Sequence, residues 1–273
     1  MKVPIIDLDG KKGKDMTLPS QFSEPFRPDL IKKAVLVLQS HNVQPYGINP
    51  EAGKRASSYV SKRRHAYKTT YGRGQSRSPR KILTRRGLHM YYVGAFAPNT
   101  VGGRVSHPPK AEKIWARKMN PDERRKAIRS AIAATMNEIL VKKRGHKSMS
   151  VIIDSAFEDL KKTKDVEEVL KKVGMDEELE RISKKKVRAG KGKNRGRPYR
   201  KKKGPLFVVS QDCSLKYAAE NLQGVDVCVV RELNTELLAP GTDAGRLTFW
   251  SEKALALLEK EKLFYTRRKG GSI

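Results

Sequence analysis

Residues 206–230 read LFVVSQDCSLKYAAENLQGVDVCVV. Two short apolar runs, Leu206–Ser210 and Val225–Val230, bracket a helix-compatible stretch, Leu215–Asn221. Runs of this length and composition are strands, and a helix between them brings the chain back to the starting edge. The two strands therefore run parallel, because an antiparallel pair needs only a tight turn. One such βαβ unit places the chain in the α/β class.

Outward from that unit the pattern continues. Downstream, Arg246–Trp250 reads as another short strand. Ser251–Lys262 reads as a helix with Ser251 at its N-cap, Glu252 in its first turn and Ala254, Leu255 and Leu258 facing inward. Upstream, Ser150–Ile153 is a strand, followed by amphipathic helices near Asp165–Val173 and Glu177–Ser183. Asn120-Pro121-Asp122-Glu123 is a helix start, with a capping Asn, Pro at the first helical position and acids in the first turn. Its apolar face is Ala127, Ile128, Ala131, Ile132, Thr135, Ile139 and Leu140, and Lys142–Gly145 closes it. Asp29–Gln39 has helical spacing through Leu30, Ile31, Ala34, Val35 and Leu38, and Val3–Leu8 reads as a buried strand.

The expected fold is α/β, with a mostly parallel sheet flanked by helices, a long extended internal loop and a second basic loop. One globular domain is expected from residues 1–45 and 111–264. Residues 46–110 form the inserted loop, 184–203 the second loop and 265–273 a flexible tail. In the 65 residues from 46 to 110, Leu, Ile and Val together number eight. So few apolar side chains cannot offset the entropy of ordering the backbone. The segment is expected to take its order from a partner or to have none.

Charge identifies the class of partner. The chain of 273 residues carries a formal net charge of +30. Residues 54–118 hold 17 Lys and Arg against one acid, Glu112, for +16, and residues 184–203 hold 12 and no acid. Only +2 is left for the rest, so the chain is a nearly neutral body bearing two basic segments. A polyanion that binds it does so through those segments.

In the first segment Lys54, Arg55, Lys62, Arg63, Arg64, His65, Lys68, Arg73, Arg77, Arg80, Lys81, Arg85, Arg86, Arg104, His107 and Lys110 are the candidate phosphate ligands. Tyr67 and Tyr71 are interleaved among them, and aromatic rings stack on unpaired bases. Gly72 and Gly74 allow the backbone to approach a phosphate closely. The second segment offers Lys185, Lys186, Arg188, Lys191, Lys193, Arg195, Arg197, Tyr199, Arg200 and Lys201. Solvated linkers seldom combine this density of Arg with Tyr, and twelve cations exceed the need of a localisation signal.

Enzyme patterns fail on inspection. Gly190, Gly192 and Gly196 lack dinucleotide-binding spacing, and Gly10–Asp15 is too short for a phosphate-binding loop. Ile5-Ile6-Asp7-Leu8-Asp9-Gly10 resembles the nucleophile strand of haloacid-dehalogenase-type phosphatases, but Lys11 stands where that family has Thr or Val. A strand ending in an acidic turn is the simpler reading. Asp154, Asp212 and Asp226 are the acids an RNA-directed enzyme could use, and ordinary turns account for them equally well. No helix-turn-helix with base-reading residues is recognisable, which disfavours an operator-binding protein. The five histidines are scattered without ligand spacing, and Cys213 and Cys228 have no CxxC partner, so reduced, partly buried thiols are expected and no metal. Met1–Asp9 does not read as an export signal, and the apolar runs Ala34–Leu38 and Ala254–Leu258 are too short to span a bilayer.

Six strings, in order and with compatible gaps, resemble one family. They are Ile5–Gly10 (IIDLDG), Asp29–Ala34 (DLIKKA), Gly102–Lys110 (GGRVSHPPK), Arg129–Thr135 (RSAIAAT), Lys186–Arg200 (KVRAGKGKNRGRPYR) and Asn234–Leu247 (NTELLAPGTDAGRL). They resemble universal family four of the large-subunit ribosomal proteins in its archaeal form, and an end at Ile273 fits that form. The resemblance implies a non-catalytic α/β body on the outer face of the large subunit. It implies a loop threading ribosomal RNA to the wall of the nascent-peptide exit tunnel. Tyr71, Gly72, Arg73, Gly74, Gln75, Arg77 and Arg80 would lie at the loop tip. An arm of about 32 residues can reach at most ~110 Å. Implied partners are large-subunit RNA, neighbouring ribosomal proteins and the nascent peptide. No cofactor, small-molecule substrate or membrane is implied, and the setting is the cytoplasmic ribosome.

Overall fold

The computed structural model describes residues 1–66, 69–87 and 89–265. They divide into two compact units, one of Met1–Asn42 together with the chain from Arg117 on, the other of Val43–Ala116. The first unit opens with a hairpin, β1 (Lys2–Ile6) and β2 (Lys12–Thr17), and helix α1 (Pro28–His41). The second unit contains the hairpin β3 (Arg80–Arg86) and β4 (His89–Gly94). The first unit then resumes with α2 (Pro121–Thr135), α3 (Glu138–Lys143), β5 (Val151–Ile153), α4 (Thr163–Lys172) and α5 (Asp176–Ser183). A small ribbon, β6 (Lys186–Val187) and β7 (Tyr199–Arg200), precedes β8 (Leu206–Val209), α6 (Ser214–Glu220) and β9 (Asp226–Val229). The chain continues through α7 (Thr235–Leu238), β10 (Thr248–Ser251) and α8 (Glu252–Lys260).

Six strands form one sheet in the order β2-β1-β5-β10-β8-β9. The β1–β2 pair is antiparallel, and the other four pairings are parallel, including β8 with β9 across α6. Alternate strand residues face opposite sides of a sheet, and the core divides accordingly. Ile152, Leu206, Val208 and Trp250 pack with Ile31 and Val35 of α1, Ile128 and Ile132 of α2, and Leu255 and Leu258 of α8. Ile153, Phe207, Val209 and Phe249 pack on the other face with Val166 and Leu170 of α4 and Leu215 and Ala219 of α6. Phe207 meets Phe157 and Phe249 edge to face, with ring centroids 5.3 and 5.2 Å apart.

Several expectations change. The helix begun at Pro121 does not run through Leu140: it stops at Thr135, and Asn137 caps a new helix by accepting from the backbone N–H groups of Ile139 and Leu140. Ile139 consequently leaves the apolar face and is 77% exposed. Ser251 holds the N-cap position of α8 but makes no side-chain cap bond. Strand β2 is a further difference, because its sequence KGKDMT does not alternate and its pairing with β1 draws it into the sheet. In β1 only Ile5 is buried, so the expected buried strand is half-exposed. Toward the C-terminus, the Tyr265 ring centroid lies 5.5 Å from the Arg129 guanidinium. Residues 266–273 of the expected tail lie outside the described residues.

The largest difference concerns the expected featureless loop. Val43–Ala116 is a compact unit with a hairpin, not an extended segment without regular structure. Yet among its described residues only Thr69, Thr70 and Ala95 are buried. Backbone contacts close it instead. Ile48 N–H donates to Pro109 O at 3.2 Å, Ala95 N–H to Pro79 O at 3.0 Å and Arg104 N–H to Phe96 O at 3.3 Å. Gly53, at φ +75°, lies against Gly103 so closely that a Cβ on it would fall 2.4 Å from the Gly103 carbonyl carbon. A Cβ on Gly103 would fall 2.0 Å from Ala97 O and 2.5 Å from Thr100 Oγ1. With no core to absorb the clash, Gly103→Ala is expected to open this crossing. Protease cleavage between 94 and 110 should accelerate several-fold while the thermal unfolding of the sheet domain stays unchanged. Unaltered cleavage would show that the crossing does not hold the unit together.

Candidate nucleic-acid interface

The first basic segment displays its cations. Lys54, Arg55, Lys62, Arg63, Arg64, His65, Arg73, Arg77, Lys81, Arg85, Arg86, His107 and Lys110 are exposed, and Arg80, Arg104 and Tyr71 are half-buried. Tyr67 and Lys68 lie outside the described residues. Gly72, Gly74 and Gln75 are exposed around the turn that follows Tyr71. There the Arg77 guanidinium sits 4.6 Å from the Tyr71 ring centroid, and Arg80 donates to Ser76 O at 2.7 Å and Ser76 Oγ at 2.9 Å. These contacts orient the arginines without neutralising them. Arg85 aside, none of the ion pairs among the described residues includes a candidate cation of this segment. The sheet domain differs: Lys33 pairs with Glu123 at 2.6 Å, Arg129 with Glu24 at 2.9 Å and Lys172 with Asp9 at 2.8 Å.

The second segment is not a plain loop. Lys186 faces Arg200 and Val187 faces Tyr199 across the β6–β7 ribbon, and Gly190–Arg195 make the turn. Gly196, at φ +76°, ends that turn in the left-handed region that glycine enters without a Cβ clash. Lys185, Lys186, Lys191, Lys193, Arg195, Arg197, Tyr199, Arg200 and Lys201 are exposed. Arg188 is half-buried because it folds back, donating to Arg197 O at 3.2 Å and Tyr199 O at 3.3 Å. Lys185 Nζ lies 4.6 Å from the Tyr199 ring centroid.

Two arginines that sequence reasoning did not single out hold the root of this ribbon. Arg246, fully buried, donates to Gly204 O at 2.8 Å, Pro205 O at 3.3 Å, Leu237 O at 2.9 Å and Asp226 Oδ2 at 2.6 Å. Lys203 Nζ reaches the same Asp226 carboxylate at 3.0 Å. Burial pushes the Asp226 carboxyl up, but Arg246 and Lys203 outweigh it and hold the group below the usual carboxylate range. Arg181 donates to Lys203 O at 2.7 Å and to the buried Glu178, which also bonds His146 Nδ1 at 2.8 Å. Burial likewise opposes ionisation of Glu178, and Arg181 and His146 reverse it. The signal available in the sequence was Arg246 itself, a cation at the mouth of an apolar strand that must find a partner when buried.

The acids weighed for catalysis have structural work. Asp154 accepts from Ser155 N–H at 2.6 Å, Asp212 pairs with Lys216 at 3.1 Å and Asp226 is the partner of Arg246. Among the described residues no three His, Cys, Asp or Glu side chains converge as a metal site, and no helix is long and apolar enough to cross a membrane. Both cysteines are free; burial pushes the Cys228 thiol up to about 12 and raises that of Cys213, so neither is a poised nucleophile.

The sequence profile of the Ribosomal protein L4/L1 family matches residues 16–261. The chain is 48% identical over 269 residues to the large ribosomal subunit protein uL4 of Nanoarchaeum equitans, spanning 97% of this chain and 100% of that one. It is 45% identical over 262 residues to the uL4 protein of Archaeoglobus fulgidus, spanning 94% and 98%. With the uL4 protein of Methanococcoides burtonii it shares 45% over 259 residues, spanning 93% and 96%.

Proposed function

Because the chain belongs to the ribosomal protein L4/L1 family, whose members here are constituents of the large ribosomal subunit, we propose that both basic segments bind large-subunit ribosomal RNA. The protein is a structural component and not an enzyme. The observation that carries the RNA reading is an excess of exposed positive charge. Two segments of +16 and +12 display their cations, while the acids of the chain are concentrated in the sheet domain. Such cations repel one another and gain by displacing the counterions of a phosphate backbone. The candidate ligands are the Lys, Arg and His residues named above for the two segments, with Tyr67, Tyr71 and Tyr199 available for stacking.

In this proposal RNA steadies Val43–Ala116, which its backbone contacts close but which has three buried residues among those described. The turn from Tyr71 to Arg80 reaches the wall of the nascent-peptide exit tunnel, neighbouring ribosomal proteins complete the surroundings, and the protein works in the cytoplasm within the ribosome. Salt dependence tests the interface. For six to ten phosphate contacts, affinity of the purified chain for large-subunit RNA should fall about 10³–10⁵-fold between 50 and 200 mM salt. A fall of less than about tenfold would rule out a phosphate-dominated interface of this size. Bound RNA should also shield residues 54–110 from protease, and equal cleavage with and without RNA would count against the proposal.

A further inference from the structure

Beyond the two cation runs, the second unit carries an aromatic shelf. The rings of Tyr46 and Trp115 are stacked, with centroids 5.4 Å apart and planes inclined by 24°. Lys113 Nζ lies 4.4 Å from the Trp115 ring centroid. Tyr46 is 56% exposed, so the stack ends on a ring face open to solvent. The shelf borders an open groove of about 680 Å³ whose other walls are His107, Pro108, Pro109, Lys110 and Glu112. Its backbone is fixed. Ile48 N–H donates to Pro109 O at 3.2 Å, and a Cβ on Gly47 would fall 2.6 Å from Ala111 N, so the two stretches of chain touch there. The consecutive prolines have restricted φ. The indole N–H of Trp115 is buried and has no acceptor among the described residues.

We propose that this shelf binds one unpaired nucleobase, stacked on the outer face of Tyr46, with His107, Lys110 and Lys113 taking the adjoining phosphates. Three features favour a nucleotide over an aromatic or acidic peptide. A stacked Tyr–Trp pair prolongs naturally into a third flat ring. Three basic side chains against the single Glu112 select a ligand carrying negative charge beside that ring. The groove also lies in the unit that holds the first, +16 basic segment. The inference rests on the RNA-binding reading and assigns a different mode to one place in it: the base is gripped here, in addition to the phosphate.

Tryptophan emission provides the test, because the chain has two tryptophans and the other, Trp250, is fully buried in the sheet domain. The full chain is titrated with an eight-nucleotide oligoadenylate, with the same oligonucleotide bearing abasic sites, and with a glutamate–tyrosine peptide. Oligoadenylate should quench the emission, and Trp115→Phe should abolish the change. Tyr46→Ala should weaken oligoadenylate binding about tenfold, Tyr46→Phe should restore it, and abasic RNA should not distinguish the three proteins. RNA that binds without quenching, or that loses no more affinity than its abasic form on Tyr46→Ala, overturns the shelf and leaves the RNA reading intact. Equal quenching by the peptide overturns the choice of a nucleobase. Failure to bind any RNA overturns both.

Discussion

Replacing Arg246 by methionine is expected to destabilise the sheet domain by about 2–5 kcal/mol, because each buried acceptor that loses its donor costs about 1–3 kcal/mol. Methionine fills much of the volume but donates nothing. It leaves the carbonyl oxygens of Gly204 and Leu237 without their arginine donor, and leaves the Asp226 carboxylate with Lys203 alone. Equilibrium urea unfolding at neutral pH measures the loss, and a loss below about 1 kcal/mol would mean that water reaches these groups. Adding Asp226→Asn should recover part of it, because a carboxylate that has lost the nearer of its two cations is then neutral. The effect also depends on pH. The Asp226 carboxyl is held below its unfolded value of about 3.9, so its pairing stabilises the fold above that pH and is lost as pH falls through the lower, folded value. The gap between wild type and Arg246→Met should therefore narrow on acidification. Arg246 also ties the start of β9 and Leu237 of α7 to the root of the basic ribbon at Gly204 and Pro205, so the variant should increase protease cleavage at 201–205 before the domain melts.

The second large effect concerns binding and leaves stability alone. Changing Lys191, Lys193, Arg195, Arg197, Arg200 and Lys201 together to glutamine removes six exposed cations, none of them in an ion pair among the described residues. Affinity for large-subunit RNA should drop on the order of 10³-fold at 100 mM salt. The slope of log affinity against log salt should become shallower by about one for every phosphate that the variant no longer neutralises. The urea unfolding midpoint should stay where it was, because no carboxylate loses its partner. An unchanged slope would place the RNA interface elsewhere, and a lowered midpoint would show that the ribbon braces the sheet domain. The two variants separate two roles: Arg246 holds the root of the ribbon, and the ribbon's cations are the proposed RNA ligands.

What could be read in the sequence was whatever is local. The apolar runs at 206–209 and 226–229 flank a helix and pair in parallel, as the connection between them requires. Ile128, Ala131 and Ile132 recur at helical spacing and are buried in α2. Asn120 caps that helix by accepting from Asp122 N–H. The partition of charge into two segments and a near-neutral remainder, and the poverty of the first segment in apolar side chains, are sums over adjacent residues. Spacing, capping and net charge act over a few residues, so a linear reading captures them.

Tertiary structure decided everything that joins distant residues. It placed β10 between β5 and β8, although β10 is the last strand in the chain. It drew the non-alternating KGKDMT into the sheet, broke one expected helix at Asn137 and turned Ile139 to solvent. It brought Arg246 to Asp226 and Gly204, and Tyr46 to Trp115, across separations that carry no local signature. A side chain's hydrophobicity says that it will be buried, not against what. The partner of a buried charge or a stacked ring is fixed only when the whole backbone has closed, because only then does the cost of leaving it unpaired fall due.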